Sequence, residues 1–555
     1  MFRFKKASVG FAITALILVF AGQPSVGFGV SVEELDQNVK EHETSFYREF
    51  FDHILYDQFA NLLRFDRLRD RLTMSKHEAL DINPYDEIPD SGFFVNRHGR
   101  EHLSHEALKR GPNSGSGPDP AGQWKVLKGK VAGVSLGFFI EDQKGDRYLL
   151  KFDPKDNPEM ATSAEMVSHK FFYAFGYNTA EYYSVDFNPS ILTVAPGAKY
   201  YNEDGFKKPL TQEVLPELLD RVPKLKGGVV RASASKLLDS KGFTDFEGRR
   251  KSDPKDLIPH EDRRSLRALR VFGSWMNHYD LREGNTLDVV EAEAGEGVVK
   301  HYLFDFGSTL GSAASHPKVP AAGYEHIVDW FEVGKAAPTL KVVRKPWEKR
   351  WDEANREVAY PALGYFDNAE FDPGQWKTQL PYEVFNRLTP GDAFWATKII
   401  MNFSDDDVRT IVETSEFSDP ENARILSEVL IARRDIIGRY WFSHVTPLDD
   451  IRLFETGDGN YEIRAEDLAV HYGFAQSQDS RYRFRFKDQK GEWHEAGAPV
   501  FPFSISSSGE PAVVTLLIQA SHGAQGDWSN PLLAVSLAQR SEGAPYEIVE
   551  IDHGL

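Results

Sequence analysis

The chain has no cysteine among its 555 residues. That absence excludes disulfides, thiolate zinc sites, a cysteine nucleophile and a lipidated-cysteine anchor. Positive charge is short as well: 65 Lys and Arg stand against 84 Asp and Glu, for a formal net charge of −19. Phosphate-backbone contacts need a basic face, so this balance argues against a general nucleic-acid binder. Beyond residue 29 no apolar run approaches the roughly 20 residues that a helical span needs. There is no internal repeat and no low-complexity tract.

The chain is 41% hydrophobic and 13% aromatic, enough to bury large cores, and its length predicts two or more domains. At the start, Arg3, Lys5 and Lys6 precede an apolar stretch at 7–22, and small residues follow at Ser25, Gly27 and Gly29. The pattern predicts a secretory signal peptide over 1–29, cleaved after Gly27 or Gly29. An uncleaved N-terminal anchor is the alternative. The expected product is exported, periplasmic or extracellular, with no membrane span after signal removal. A disulfide-free exported protein points to a bacterium.

Residues 30–122 read as a helical and irregular N-terminal extension. "FYREFFDHILYDQFANLLRF" carries apolar residues at helical spacing, and "GPNSGSGPDPAG" at 111–122 reads as a linker. Alternation then predicts a hairpin of strands turning near Lys144 and Gly145, and a helix over 158–175 stopped by Gly176. "EYYSVDF" and "GVVRASA" read as strands. "PHEDRRSLRALRVFGSWMNH" reads as one helix opened by Pro259, with Leu266, Leu269, Phe272 and Met276 on one face. Later helices are expected to start with capping boxes at Ser404–Asp407 and Ser418–Glu421. From Pro447 the character changes. "YRFRFKD", "AVVTLLIQAS" and "PLLAVSLAQR" predict an all-β sandwich over 447–555.

Two polar segments each follow an apolar run: "NHYDLREGNTLD" at 277–288 and "HYLFDFGSTLG" at 301–311. Phosphoryl transfer needs a carboxylate near the attacking hydroxyl, oxygen ligands for Mg²⁺, a cation on the phosphates and a backbone cover. Asp280 and Asn285, five residues apart on one loop, can address nucleophile and metal, and Asp305 on the next strand end can hold the ion. Leu281 would anchor the loop. Upstream, Lys151 in "YLLKFD" falls on an alternating strand, Glu165 lies mid-helix, and Gly129, Gly133 and Gly137 recur at four-residue spacing.

With those residues in that order, the chain resembles the protein-kinase-like superfamily, in its atypical HipA-like and lipid-kinase-like branch. "YLLKFDP", "FGYNTAEYY", "HEDRRSLRALRVFGSWMNHYDLREGNTLD" and "HYLFDFGSTLG" also look like exported bacterial proteins with a kinase-like core. The resemblance covers about residues 123–445. It implies an α+β fold: a two-lobed core, with an N-lobe over 123–260 and a C-lobe over 261–446, between the extension and the β domain. It implies that Lys151 contacts ATP phosphates, that Glu165 orients Lys151, and that Gly133 and Gly137 belong to the nucleotide cover. Asp280 would be the catalytic carboxylate, and Asn285 and Asp305 would bind Mg²⁺ or Mn²⁺. The implied partners are a nucleotide and a protein or small-molecule acceptor. The glycine hairpin departs from Gly-x-Gly-x-x-Gly, Tyr279 replaces the usual arginine, no Ala-Pro-Glu follows, and "EAEAGEGVV" lengthens the interval before Asp305.

Several residues have competing readings. Glu159 rivals Glu165 but falls in a first helical turn, where a carboxylate suits the helix dipole. His278 reads as packing behind the loop, His301 as a strand-edge residue, and 291–296 as a solvated turn. His260 with Glu261 lacks the zinc-hydrolase spacing. Arg231 reads equally as nucleotide-facing or structural. Two further functions stay open: an inactive pseudokinase-like scaffold, and an adhesion or glycan-binding protein acting through the β domain, where Trp493 and Trp528 could offer a sugar face.

Overall fold

A computed structural model describes residues 30–56, 78–130, 135–202, 205–330, 332, 334, 345, 347, 359–457, 459–487, 493–505, 513–523, 528–541 and 544–554. The signal-like segment 1–29, part of the aromatic stretch and Gly133 lie outside the described residues. The content is mixed α/β with several sheets. Among the described residues no helix is long and apolar enough to cross a membrane.

The first large sheet has six strands, in the spatial order Tyr182–Phe187, Val230–Lys236, Arg147–Lys151, Gly137–Glu141, Trp124–Gly129 and Leu192–Val194. Its pairs are antiparallel except the last. Strand alternation buries Trp124, Val126, Phe138, Ile140 and Leu150 in one apolar cluster. The expected hairpin turn is present, with Asp142 accepting from the backbone N–H groups of Lys144 and Asp146 and Gly145 at φ 85°. The supposed linker instead lies against this sheet. Asn113 donates to the Tyr182 carbonyl at 2.7 Å, and a Cβ at Gly117 would sit 2.5 Å from the Tyr183 ring.

The helix after the sheet runs Met160–Phe175 and is buried along nearly its whole length. Such a helix is apolar or internally satisfied on every face. Asp153 caps its start by accepting from the N–H groups of Ala161 and Thr162, and Gly176 closes it at φ 137°. Its phenylalanines join a second apolar cluster formed by Trp275, Trp395, Leu430 and neighbours.

The segment expected as one helix from Pro259 is broken. A 3-10 turn, His260–Asp262, ends at an extended Arg263 (φ −95°, ψ 123°), followed by helices Arg264–Arg267 and Leu269–Met276. The break has a tertiary cause. Asp81 accepts from the N–H groups of Arg264 and Ser265 and from the Ser265 hydroxyl, so a distant carboxylate caps a new helix start there. The Ser404–Asp407 capping box is present, but helix Pro420–Phe442 is capped by Asp419 rather than Ser418. The Ser418 N–H donates instead to the Glu159 carboxylate at 3.1 Å.

Strands Thr286–Glu293 and Glu296–Leu303 form a hairpin turning at Ala294 and Gly295. His301 is not a strand-edge residue. It is buried, 2.6 Å from Asp288 and stacked on Phe93. Beyond residue 447, strands Leu448–Gly457, Asn460–Asp467 and Val500–Ser504 form one sheet. A second holds His494–Ala496, Arg481–Phe486, Val513–Ser521, Leu533–Gln539 and Tyr546–Asp552. Ile463 and Phe501 from the first sheet share an apolar cluster with Ile518 and Val535 from the second.

Candidate functional site

Lys151 ends its strand with the side chain turned inward. Its ammonium donates to Glu165 Oε1 at 2.6 Å and to Asp305 Oδ1 at 2.8 Å. Glu165 is held from its other side by the Ser233 hydroxyl. A Cβ on Gly307 would meet Glu165 Oε1 at 3.2 Å, which explains glycine there. Two carboxylates from distant parts of the chain thus meet at one ammonium.

Asp305 adopts the left-handed conformation at φ 61°, and its N–H donates to the Tyr182 hydroxyl at 3.0 Å. The following Phe306 is fully buried against Phe172, Tyr182 and His278, so the turn is anchored by its aromatic neighbour. Burial alone would push the Asp305 carboxyl up. The ammonium groups of Lys151 and Lys130 outweigh it and hold Asp305 well below the usual carboxylate range. Burial likewise opposes the charge on Lys151, but Asp305 and Glu165 raise it above the usual lysine range.

The second half of the site is the loop after Asn277, which closes its helix at φ 45° and donates to the Leu310 carbonyl. Leu281 is buried in the main cluster, as an anchor should be. Asn285 Nδ2 donates to the Asp280 carbonyl at 2.7 Å and to Asp280 Oδ2 at 3.0 Å. Arg282 Nε donates to Asp280 Oδ1 at 3.1 Å. Burial raises the Asp280 carboxyl above its ordinary value, Arg282 opposes that rise, and the nearby Asp305 charge adds to it.

The hairpin explains how Asn285 and Asp305 come together across a long interval. Thr286 pairs with Leu303, so Asn285 and Asp305 flank the same end, and Phe304 N–H donates to the Asn285 carbonyl at 3.1 Å. The acidic insertion only lengthens the hairpin away from that end. Asn285 spends its amide nitrogen on Asp280, so its amide oxygen and the carboxylates of Asp280 and Asp305 are the oxygen donors that this end of the hairpin offers. Such an all-oxygen donor set fits Mg²⁺ or Mn²⁺.

Gly137 pairs with Lys151 across the sheet, and a Cβ there would lie 2.7 Å from the Leu150 carbonyl. Close strand approach accounts for this glycine. Glu159 is set apart from Lys151, at the helix start near Arg231 and Ser418. Arg231 donates to the carbonyls of Ser415 and Glu416, a structural tie. His278 is buried among Phe172 and Phe306, and burial pushes it down to about 3, which keeps it neutral. Trp493 and Trp528 each have a face on the Arg483 guanidinium, 4.4 Å from either ring centre.

Sequence reasoning missed three contributors. Lys130 follows the first strand, donates to Ser135 at 3.1 Å and feels the charges of Asp305, Lys151 and Glu165. Arg282 grips Asp280, and Glu49 from the N-terminal extension grips Arg282. The "KGK" run and the arginine two residues past Asp280 were the available signals. Nothing in the sequence ties Glu49 to either.

No family model matches the chain, and no curated protein matches it. Among solved structures, the crystal structure of a Helicobacter pylori proinflammatory kinase, CtkA, is similar at 14% identity and a TM-score of 0.31. The match covers 58% of this chain and 97% of that one. A likeness this weak decides neither fold nor activity.

Proposed function

We propose that the chain is an atypical kinase-like phosphotransferase with a two-lobed core over about residues 123–445. It would move the γ-phosphate of ATP to a hydroxyl on a protein or small-molecule acceptor. The observation that carries this reading is Lys151 held between Glu165 and Asp305 at 2.6 and 2.8 Å, beside a loop pairing Asp280 with Asn285. On this reading Glu165 positions Lys151, and the ammonium moves from Asp305 to the phosphates when nucleotide enters. Asp305 and the Asn285 amide oxygen would hold the metal, which would supply neutralisation of phosphate charge. Asp280 accepts the acceptor's hydroxyl proton as the new O–P bond forms and the bond to ADP breaks. Its raised carboxyl makes it a better base than a solvent-exposed aspartate.

The export expected from residues 1–29 and the β domain over 447–555 belong to the same proposal. Mass spectrometry of the N-terminus from an exporting host tests the first. The activity is tested by incubating purified protein with γ-labelled ATP and Mg²⁺ or Mn²⁺, following binding by thermal shift and transfer by label. Saturable metal-dependent binding with transfer supports the reading; no nucleotide binding with either metal refutes it.

A second reading has its own observation. Both Asp280 oxygens are engaged, one by Arg282 and one by Asn285. A protein fixed in this arrangement binds nucleotide without transferring phosphate, as a pseudokinase-like scaffold does. Binding without label transfer across varied acceptors supports that reading.

A further inference from the structure

The outer face of the five-stranded sheet carries a charge pattern unlike the rest of the chain. In "RYRFRFK" at 481–487 a cation occupies every second position. Strand Arg481–Phe486 turns Tyr482 and Phe484 into the apolar cluster between the two sheets. Arg481, Arg483 and Arg485 therefore share the opposite face, about 7 Å apart along the strand. The chain has a net charge of −19, and elsewhere its arginines find carboxylates. Arg263, Arg264 and Arg267 each have one at 3.0 Å or less. Among the described residues, Arg481, Arg483 and Arg485 have none.

Two indoles hold these guanidinium groups. Arg483 lies 4.4 Å from the ring centres of both Trp493 and Trp528, and Arg485 lies 4.7 Å from that of Trp493. The register explains the stack: Phe484 pairs with His494 and Arg483 with Glu495, so Trp493 stands across from Arg485 on the outer face. On the other side Arg483 pairs with Gln519, which is buried. Gln519 Oε1 accepts from Arg483 Nε at 3.0 Å and Nη2 at 2.6 Å, and its Nε2 donates to the Trp528 carbonyl at 3.1 Å. One glutamine thus fixes both an arginine and a tryptophan.

The charges on this face are uncompensated. Arg485 Nε is buried and makes no hydrogen bond among the described residues. Burial and the neighbouring Arg485 both lower Arg483 below its ordinary value, with Glu495 opposing. A row of guanidinium groups, held in place and with donors to spare, is arranged for anions, because the planar fork matches carboxylate and other oxyanions.

We propose that this face binds a linear anionic polysaccharide, with its carboxylate or sulfate groups on Arg481, Arg483 and Arg485 and its sugar rings against Trp493 and Trp528. The amphipathic indoles suit the C–H face of a sugar. Duplex DNA carries one charge about every 1.7 Å of its axis, far denser than this stripe, and the acidic chain repels it. Polysaccharides with charges on only some of their sugars match the stripe better. The proposal is independent of phosphoryl transfer.

Calorimetry at low salt with polygalacturonate, dextran sulfate, neutral dextran and oligo(dT) tests it. Saturable binding is expected for at least one of the two anionic polysaccharides, and which one binds identifies the anionic group. Dextran should not bind, and oligo(dT) should bind more weakly. Arg481→Gln and Arg485→Gln should each weaken binding by at least about 10-fold. Arg409→Gln, the same charge change on helix Asp405–Val412, should not. Arg481 and Arg485 donate no hydrogen bond among the described residues, so both variants should unfold at the wild-type temperature. No binding of either anionic polysaccharide, unchanged binding in both arginine variants, or oligo(dT) bound as tightly as the polysaccharides overturns the site.

Discussion

Arg282 Nη1 lies 3.1 Å from Glu49 Oε1 and 3.3 Å from Oε2, which joins helix Phe46–Phe51 to the loop that carries Asp280. Tyr382 adds a hydrogen bond to Glu49 at 2.9 Å. Arg282 thus divides its charge between Glu49 and Asp280. Replacing Glu49 with Gln should shift that charge toward Asp280 and weaken it as a base. The expected result is unchanged ATP affinity with kcat down about 10-fold or more. Thermal or urea unfolding should also show a loss of about 3 kcal/mol, the cost of breaking a buried pair. Unchanged kcat and stability would sink the link.

Lys151 stands between two carboxylates, and its removal leaves Glu165 without its ion-pair partner while Asp305 keeps the charges of Lys130 and Arg282. Lys151→Ala should cost about 3–5 kcal/mol of stability, because Glu165 stays buried and charged. A double variant, Lys151→Met with Glu165→Leu, should recover much of that loss while remaining unable to bind nucleotide. Urea unfolding and a nucleotide-binding assay on both variants separate the stabilising role from the binding one. Recovery of nucleotide binding in the double variant would exclude Lys151 from the nucleotide site.

The readable part of this site was the part fixed by local chemistry. Lys151, Glu165, Asp280, Asn285 and Asp305 stand out in sequence because each sits on an element whose periodicity or turn chemistry directs its side chain. Leu281 marks an anchor by its apolar character within a polar run. The unreadable part depended on distant partners. Arg263 breaks a well-patterned helix because Asp81 caps the residues after it. His301 looks like an edge residue until Asp288, Arg250 and Thr244 gather around it. Glu49 and Arg282 are separated by 233 positions, and no local pattern encodes their meeting. The glycine run at 111–122 reads as a spacer for the same reason: its partner, Tyr183, lies far along the chain.

Asp280 and Asp305 should fail in different ways. Asp305→Ala removes a carboxylate from the oxygen donor set, so it should weaken ATP binding with Mg²⁺ and leave any residual binding insensitive to EDTA. Asp280→Asn keeps the shape and the Asn285 contact but loses the base. It should bind ATP as the wild type does and transfer phosphate about 10²–10⁴-fold more slowly. Calorimetry for binding and label transfer for chemistry distinguish them. Equal loss of binding in both variants would contradict the assigned division of roles.

Acid should loosen the chain through Asp86 before it reaches the Lys151 cluster. Asp86 is buried beside Arg264 at 2.6 Å and His553 at 2.8 Å, joining residues near 86, the broken helix and the last strand's end. Burial pushes its carboxyl up, but Arg264 and His553 prevail and bring it from 3.8 down to about 2. The folded value is depressed, so the unfolded chain takes up the proton first. Asp86 therefore stabilises the fold fully above pH 3.8 and loses that contribution as the pH falls to about 2, an effect of about 2 kcal/mol. His98 acts in a higher window. Burial lowers it from 6.5 to about 4, so the unfolded chain binds its proton first and stability falls between those values. Urea midpoints measured from pH 7 to pH 2 should decline in two stages. His98→Phe should make the upper stage shallower, with His278 and His326, lowered from 6.5 to about 3 and about 4, carrying the remainder, and Asp86→Asn should do the same for the lower one. If the midpoint of Asp86→Asn falls below pH 4 as steeply as that of the wild type, Asp86 does not carry the acid sensitivity.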